Sequence, residues 1–303
     1  MAPPIRVGTS GWIYDHWKGR FYPKGLSPKR WLSYLAERLP TVEVNGTFYS
    51  LTRPSACEAW RAAVPDGFVF ALKGSRYITH MLKLRGFRAP LANFFASGIL
   101  KLGSAIGPIL WQLPPQLRFD RARAEEFLSA LPDDVRGAER WARRHDHRTT
   151  GRAALRAPDG RDRPLRYAFE IRHESWLADE ALRLLSARDV ALVAADTAGT
   201  HPLSLERTSR SLAYVRLHGA RRLYEGAYTD SELRAWEARC REWARTGAEV
   251  FVYFDNDREA QAAHDAVALQ ALLAGRERTR ARAARTPKRP RKPPAHFGFR
   301  RAS

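Results

Sequence analysis

The chain has 303 residues, 44% of them apolar, and a formal net charge of +20. That length and composition support a sizeable core, and no run approaches the roughly 18 uncharged apolar residues needed to span a bilayer. The basicity sits in two appendages: residues 276–303 carry eleven Lys/Arg against Glu277, residues 136–166 carry ten Arg against four acids, and the remainder is nearly balanced.

Eight apolar stretches follow one another along the chain, each ended by a polar or ionisable residue: 6–11, 42–45, 68–73, 109–113, 167–172, 191–196, 212–219 and 250–256. After the first, Ser27 as N-cap and Pro28 at N1 open a helix with an apolar stripe of Trp31, Leu32, Leu35 and Leu39. Pro54 opens a second helix through Trp60, and 91–102 reads as a third. Asp120 begins a helix to Leu131. From 136 to 166 periodicity disappears under Arg, Gly and Pro, which predicts an exposed insertion before the fifth strand. A helix over 178–188 follows, whereas 197–210 shows none. Thr229 with Glu232 forms a capping box for a helix with Leu233, Trp236, Cys240 and Trp243 on its apolar side. A last helix spans 258–274.

Eight strand–helix units predict an α/β fold, a single (β/α)8 TIM-type barrel over 5–274, with 275–303 as a disordered basic tail. The Met1-Ala-Pro-Pro start shows no signal-peptide core. Cys57 and Cys240, which share no motif, read as reduced helix-face residues, so a cytoplasmic setting is expected and a membrane partner is not.

Chemistry in such a barrel sits at the carboxyl ends of the strands. Glu43 with Asn45, Glu170 with Arg172, Arg216 with His218, and Tyr253 with Asp255 are two apart and share a face. Lys73, Gln112 and Asp196 end three other strands, and Asn256 follows Asp255 at the end of the last. Ionisable groups there must compensate one another or serve a ligand. Glu43, Glu170, Asp196 and His218 are the candidate catalytic residues, with the glutamates as acid and base and His218 as a proton shuttle. Lys73, Arg172 and Arg216 are candidates for holding an anion. Asn45, Gln112, His173 and Asn256 join them as binding candidates, with Trp12, Tyr49, Trp176 and Tyr224 as rings to stack a base or sugar. The competing reading of the charges is a closed ion-pair network of Glu43, Glu170, Asp196, Lys73, Arg172 and Arg216. That of the aromatics is a hydrophobic lid. Glu43, Glu170, Asp196, His173 and His218 are donors suited to Zn²⁺ or Mn²⁺, so a divalent metal is a candidate cofactor. Neighbouring Arg172 and Arg216 and the absence of HxH, HExxH or CxxC spacing weigh against it.

Several motifs occur in order: Gly8-Thr-Ser-Gly-Trp-Ile-Tyr14, Phe21-Tyr-Pro23, Thr41-Val-Glu-Val-Asn-Gly-Thr-Phe-Tyr49, Thr79-His80, Gln112-Leu-Pro-Pro115, Glu170-Ile-Arg-His-Glu-Ser-Trp176, Tyr214-Val-Arg-Leu-His-Gly219 and Tyr253-Phe254 with Asn256. In these the chain resembles the YecE-like family, a domain-of-unknown-function family. The resemblance runs from about residue 7 to 274 and implies a TIM-type barrel without an established reaction. Asp255 stands where the family pattern has Asn, and neither basic appendage belongs to the pattern.

Two functional classes follow. One is an enzyme with hydrolase-type acid/base chemistry on a phosphate-bearing substrate such as a nucleotide, nucleic acid or sugar phosphate. The other is a non-catalytic nucleic-acid or nucleotide binding module, to which the basic tail adds phosphate contacts by counterion release. A retaining glycosidase ranks below both, because the fourth and seventh strands end in Gln112 and in Arg216 and His218 rather than in a carboxylate pair.

Overall fold

A computed structural model describes residues 3–275. All eight stretches form parallel strands: β1 (Ile5–Ser10), β2 (Thr41–Val44), β3 (Val69–Lys73), β4 (Ile106–Gln112), β5 (Tyr167–Glu170), β6 (Ala191–Leu192) with β7 (Ala194–Asp196), β8 (Leu212–Leu217) and β9 (Glu249–Phe254). The sheet order is β6-β5-β4-β3-β2-β1-β9-β8-β7. Its two ends, β6 and β7, are one sequence stretch interrupted at Val193. β6 pairs with β5, β7 pairs with β8, and Val193 N–H still donates to Phe169 O at 2.9 Å. The barrel therefore closes through a strand that changes partners midway. The (β/α)8 TIM-type expectation is met.

The helices form where periodicity and caps place them. A tight turn at Pro28–Arg30 runs into α1 (Trp31–Ala36), although the Ser27 side chain makes no cap bond. One turn, α2 (Gly46–Tyr49), and α3 (Pro54–Ala62) follow. The third predicted helix is shorter than expected: α4 (Arg88–Ala96) stops before Gly98, whose φ of 121° breaks the helix. α5 (Arg121–Ala130) is capped by Asp120, which accepts from Arg123 N at 2.9 Å. α7 (Asp179–Ala187) and α9 (Gln261–Leu273) cover the later strands. α8 (Asp230–Arg245) carries the full Thr229–Glu232 capping box. No helix among the described residues is long and apolar enough to cross a membrane.

The 136–166 stretch departs from the expected exposed, aperiodic insertion. α6 (Val135–Ala142) opens it, capped by Asp134, with Val135, Ala138 and Ala142 buried. Further on, Thr149 and Ala154 are buried as well, and Ala154 N donates to Ala96 O at 2.8 Å. Arg136, Arg140, Arg143 and Arg144 project into solvent, and their number hides a short apolar stripe. Apart from Gly275, the predicted basic tail lies outside the described residues.

Side chains facing the barrel axis form three layers. The lowest is ionic, with Glu249 between Arg6 (2.8 Å) and Arg166 (2.5 Å). The middle is apolar, mixing the small Ala71, Ala168 and Ala191 with the rings of Tyr214, Phe251 and Tyr253. Tyr253 Oη meets Thr41 Oγ1 at 2.7 Å. The upper layer, at the strand ends, is again ionic. Gly8 makes the mixture of sizes possible, since a Cβ there would stand 2.2 Å from the Thr41 carbonyl oxygen. Gly8→Ala should therefore lower stability by about 1–3 kcal/mol through strand displacement; an unchanged urea midpoint would show that β1 and β2 part freely.

Candidate functional site

The upper layer is organised around one guanidinium. Arg216, on β8, is wholly buried. It holds Glu43 with two bonds, Nε to Oε2 at 3.1 Å and Nη2 to Oε1 at 2.8 Å. Nη1 donates to Glu170 Oε2 at 2.6 Å, and Nη2 reaches Asp255 Oδ2 and Ser10 Oγ, both at 2.9 Å. Acceptors thus arrive from β1, β2, β5 and the end of β9. Their own bonds orient them: Ser10 Oγ and Tyr214 Oη donate to Glu43, and Gln112 Nε2 donates to Glu170 at 2.8 Å. Asn45 Nδ2 donates to Ser10 Oγ at 3.1 Å. His218 Nε2 lies 3.1 Å from Arg216 Nη1, and its Nδ1 comes within 3.0 Å of Asp255 Oδ2 but out of line for a hydrogen bond.

For Glu170, Asp255 and Arg216, burial disfavours the charge and the partners reverse the balance. Burial pushes the Glu170 carboxyl up, but Arg216 and then His218, Arg172 and Lys73 hold it well below the usual carboxylate range. Asp255 follows the same pattern and is brought down to about 2. Arg216 is held fully charged by Glu170, Glu43 and Asp255 despite its desolvation.

Above this layer opens a cavity of about 480 Å³, lined by Trp12, Ile13, Tyr14, Asn45, Tyr49, Trp60, Lys73, Tyr224, Asp255 and Asp257 among others. Glu43 and Glu170 are not on its wall. Lys73, 8% exposed, is. Its Nζ lies 4.4 Å from the centre of the Phe48 ring, and no carboxylate of the described residues pairs with it. Burial and the nearby Arg216 lower its pKa to about 8, against the pull of Glu43, Glu170 and Asp255. His80 is lowered to about 4 by burial and by Arg172, Lys73 and Arg76. Asp257 is raised by burial and by Asp255. A larger cavity, about 650 Å³, lies at the opposite end around Arg6, Arg166 and Glu249, where both guanidiniums are bonded to the one carboxylate.

The structure brings together Glu43, Glu170, Arg216, His218, Gln112, Asn45 and Arg172, the last with Nη2 3.4 Å from Glu170. Trp12, Tyr49, Tyr224 and Lys73 line the cavity. Four other candidates are engaged elsewhere. Asp196 accepts from Tyr228 Oη at 3.0 Å, and that hydroxyl in turn accepts from Gly219 N, so Asp196 secures the turn after β8. His173 caps the turn at Ser175 N. Trp176 is buried between Phe119 and Phe169, with its Nε1 donating to Leu117 O. Asn256 donates to Gly226 O and Asp265 from a fully buried position. The predicted six-member ion network is corrected accordingly: Asp255 takes the place of Asp196, and Lys73 stands outside it. Most of the early aromatics, including Trp17, Phe21 and Tyr22, pack in the core, while Tyr49 remains 69% exposed on the rim.

Of the metal ligands named from sequence, Glu43, Glu170 and His218 gather around Arg216, whereas Asp196 and His173 are engaged elsewhere. Among the described residues no group of three or more His, Cys, Asp or Glu side chains is placed to hold a metal ion, and Arg216 occupies the position between Glu43 and Glu170. Ser10, Tyr214 and Asp257 are not among the candidates read from the sequence, and Asp255 is read there only as a strand-end charge paired with Tyr253. Alternation along β1 and β8 would have placed Ser10 and Tyr214 on the inner face, while the loop position of Asp257 carries no signal.

Fold and site together define a TIM-type barrel whose C-terminal mouth is floored by a buried ionic cluster. The chain belongs to the family described as "Protein of unknown function DUF72", whose model matches residues 6–291. It is 23% identical over 305 residues to the UPF0759 protein YunF of Bacillus subtilis (strain 168), covering 89% of this chain and 94% of that one. Two solved DUF72 family structures share the fold. TM1631 from Thermotoga maritima MSB8 has a TM-score of 0.70 at 23% identity, covering 89% of this chain and 99% of that one. EF0366 from Enterococcus faecalis V583 gives 0.67 at 19%, covering 89% and 95%.

Removing one partner of a buried pair leaves the others uncompensated. Arg216→Ala should cost about 3–5 kcal/mol in chemical denaturation. Because Glu170 and Asp255 have depressed folded-state pKa values, their stabilisation is complete above about pH 5 and is lost as pH falls toward 2. The thermal midpoint should fall across that window, and less steeply in Asp255→Asn; identical slopes would remove Asp255 from the account.

Proposed function

We propose that the mouth is the active site of an enzyme acting on a small phosphate-bearing substrate, with hydrolytic acid/base chemistry. The observation that carries this reading is the Lys73 ammonium on the cavity wall, which no carboxylate of the described residues pairs. The nearby carboxylates Glu43, Glu170 and Asp255 are already engaged by Arg216. Burial and, after it, Arg172, Lys73 and Arg76 lower the pKa of His80, so cations act on this side of the mouth, and a dianionic phosphate is the ligand they favour.

The acid/base assignment moves away from Glu43 and Glu170. Both are almost completely buried, and Glu170 is held ionised. Paired titratable groups whose environments drive their pKa values apart are the better candidates. On the cavity wall these are Asp255, brought down to about 2, and Asp257, raised. Asp257 then activates water while Asp255 stays charged. A reducing, cytoplasmic setting belongs to the same proposal and suits the buried, free Cys57 and Cys240.

One observation favours the second reading, a non-catalytic nucleotide or nucleic-acid binder: Ile13, Tyr49 and Tyr224 present exposed apolar surface at the rim, where bases could stack. Deleting 276–303 tests the contribution of the basic tail; unchanged affinity and salt slope for single-stranded nucleic acid exclude it.

In a screen of phosphate esters and nucleotides for phosphate release, Asp257→Asn should lower kcat by about 10²–10⁴-fold. Full rate in that variant, with loss in a folded Glu170→Gln, would return the role to Glu170. The Lys73 charge is present below its pKa of about 8 and lost above it. Calorimetric affinity for inorganic phosphate should therefore weaken as pH rises through 8, and a flat profile would exclude Lys73 as an anion ligand.

A further inference from the structure

Holding an anion does not account for how Lys73 is housed. An ammonium that serves only as a cation is best kept hydrated or ion-paired, whereas this one is almost wholly buried at the cavity wall, with a cation–π contact to Phe48 in place of a carboxylate. Glu43 and Glu170 lie close enough to influence it, yet their oxygens are occupied by Arg216, Ser10, Tyr214 and Gln112. Arg216 thus diverts the natural counterions of Lys73 and adds a repelling charge of its own. Such an environment makes the neutral amine, which is the nucleophilic form, easier to reach than for an ordinary lysine.

We propose that Lys73 is a catalytic nucleophile that condenses with the carbonyl carbon of an aldehyde or ketone substrate to give a protonated imine. The neutral amine attacks the carbonyl carbon, and the carbon–oxygen π pair becomes a hydroxyl as oxygen takes up a proton. The nitrogen then passes a proton to that hydroxyl, its lone pair forms the carbon–nitrogen double bond, and the carbon–oxygen bond breaks with its electron pair leaving on water. One water is released for each imine formed, with no change of oxidation state. The iminium keeps the single positive charge of the ammonium it replaces, so Arg216, Glu43, Glu170, Asp255 and His80 face the same charge before and after. It also withdraws electrons from the adjacent carbon, which assigns the site to carbonyl compounds activated at the α position. The proposal rests on the reading above only for the phosphate that would anchor the substrate.

The test uses the full chain with sodium cyanoborohydride and one of two probes, glycolaldehyde or glycolaldehyde phosphate, followed by peptide mapping. The chain has only eight lysines, so each site can be followed separately. Secondary amine should accumulate on Lys73 at least tenfold faster than on exposed Lys24 and Lys29, and the rate should climb through pH 8. Lys73→Arg, shown by thermal unfolding to be folded, should lose only the selective adduct. Labelling of Lys73 by glycolaldehyde with no advantage for its phosphate ester would sustain the imine and count against the phosphate reading. Labelling of Lys73 by neither probe, or at the rate of the exposed lysines, overturns the imine and leaves the calorimetric phosphate test standing.

Discussion

The burial of one guanidinium governs this molecule. A group with five donors and a permanent charge sits wholly inside the barrel, and removing it from water would cost several kcal/mol without partners. Three carboxylates and a hydroxyl converge on it from four strands. None of those strands can slip by one residue, because a shift of one would turn its acceptor outward. Arg216 thus ties the register of the barrel to its electrostatics.

The same arrangement decides which charges remain for a ligand. Because Arg216 engages Glu43, Glu170 and Asp255, and Arg172 also reaches Glu170, the cation left without a carboxylate on the cavity wall among the described residues is Lys73. Charge is thereby separated by depth, with a self-satisfied floor beneath an unsatisfied wall. The larger cavity at the other end of the barrel differs in kind, since there Arg6 and Arg166 are both bonded to Glu249.

The barrel was legible in the sequence because a polar residue that ends a buried strand is costly and therefore conspicuous, and all eight strands were marked this way. The pairs Glu43/Asn45 and Arg216/His218 were legible from alternation alone. Which acid completed the cluster was not. Asp196 and Asp255 both end strands, but Asp196 follows the interruption at Val193 and turns to Tyr228, a partner more than thirty residues away that no local pattern reveals. α6 was hidden for another reason: long Arg side chains on its outer face outnumber the small Val135, Ala138 and Ala142 that face inward. The aromatic-rich loops were ambiguous because core packing and ring stacking call for the same residues, and only exposure separates Tyr49 from Trp17.

The middle layer of Tyr214, Phe251 and Tyr253 has a kinetic consequence. Rings fill the barrel axis beneath the ionic floor, which makes the mouth a blind-ended well with one door. Whatever enters must leave by the same route, past the side chains of Ile13, Tyr49 and Tyr224. Two reactants could not approach from opposite ends. A co-reactant would have to arrive first and wait beneath its partner, or enter after the first product has gone, so turnover on more than one molecule would be sequential in space as well as in time.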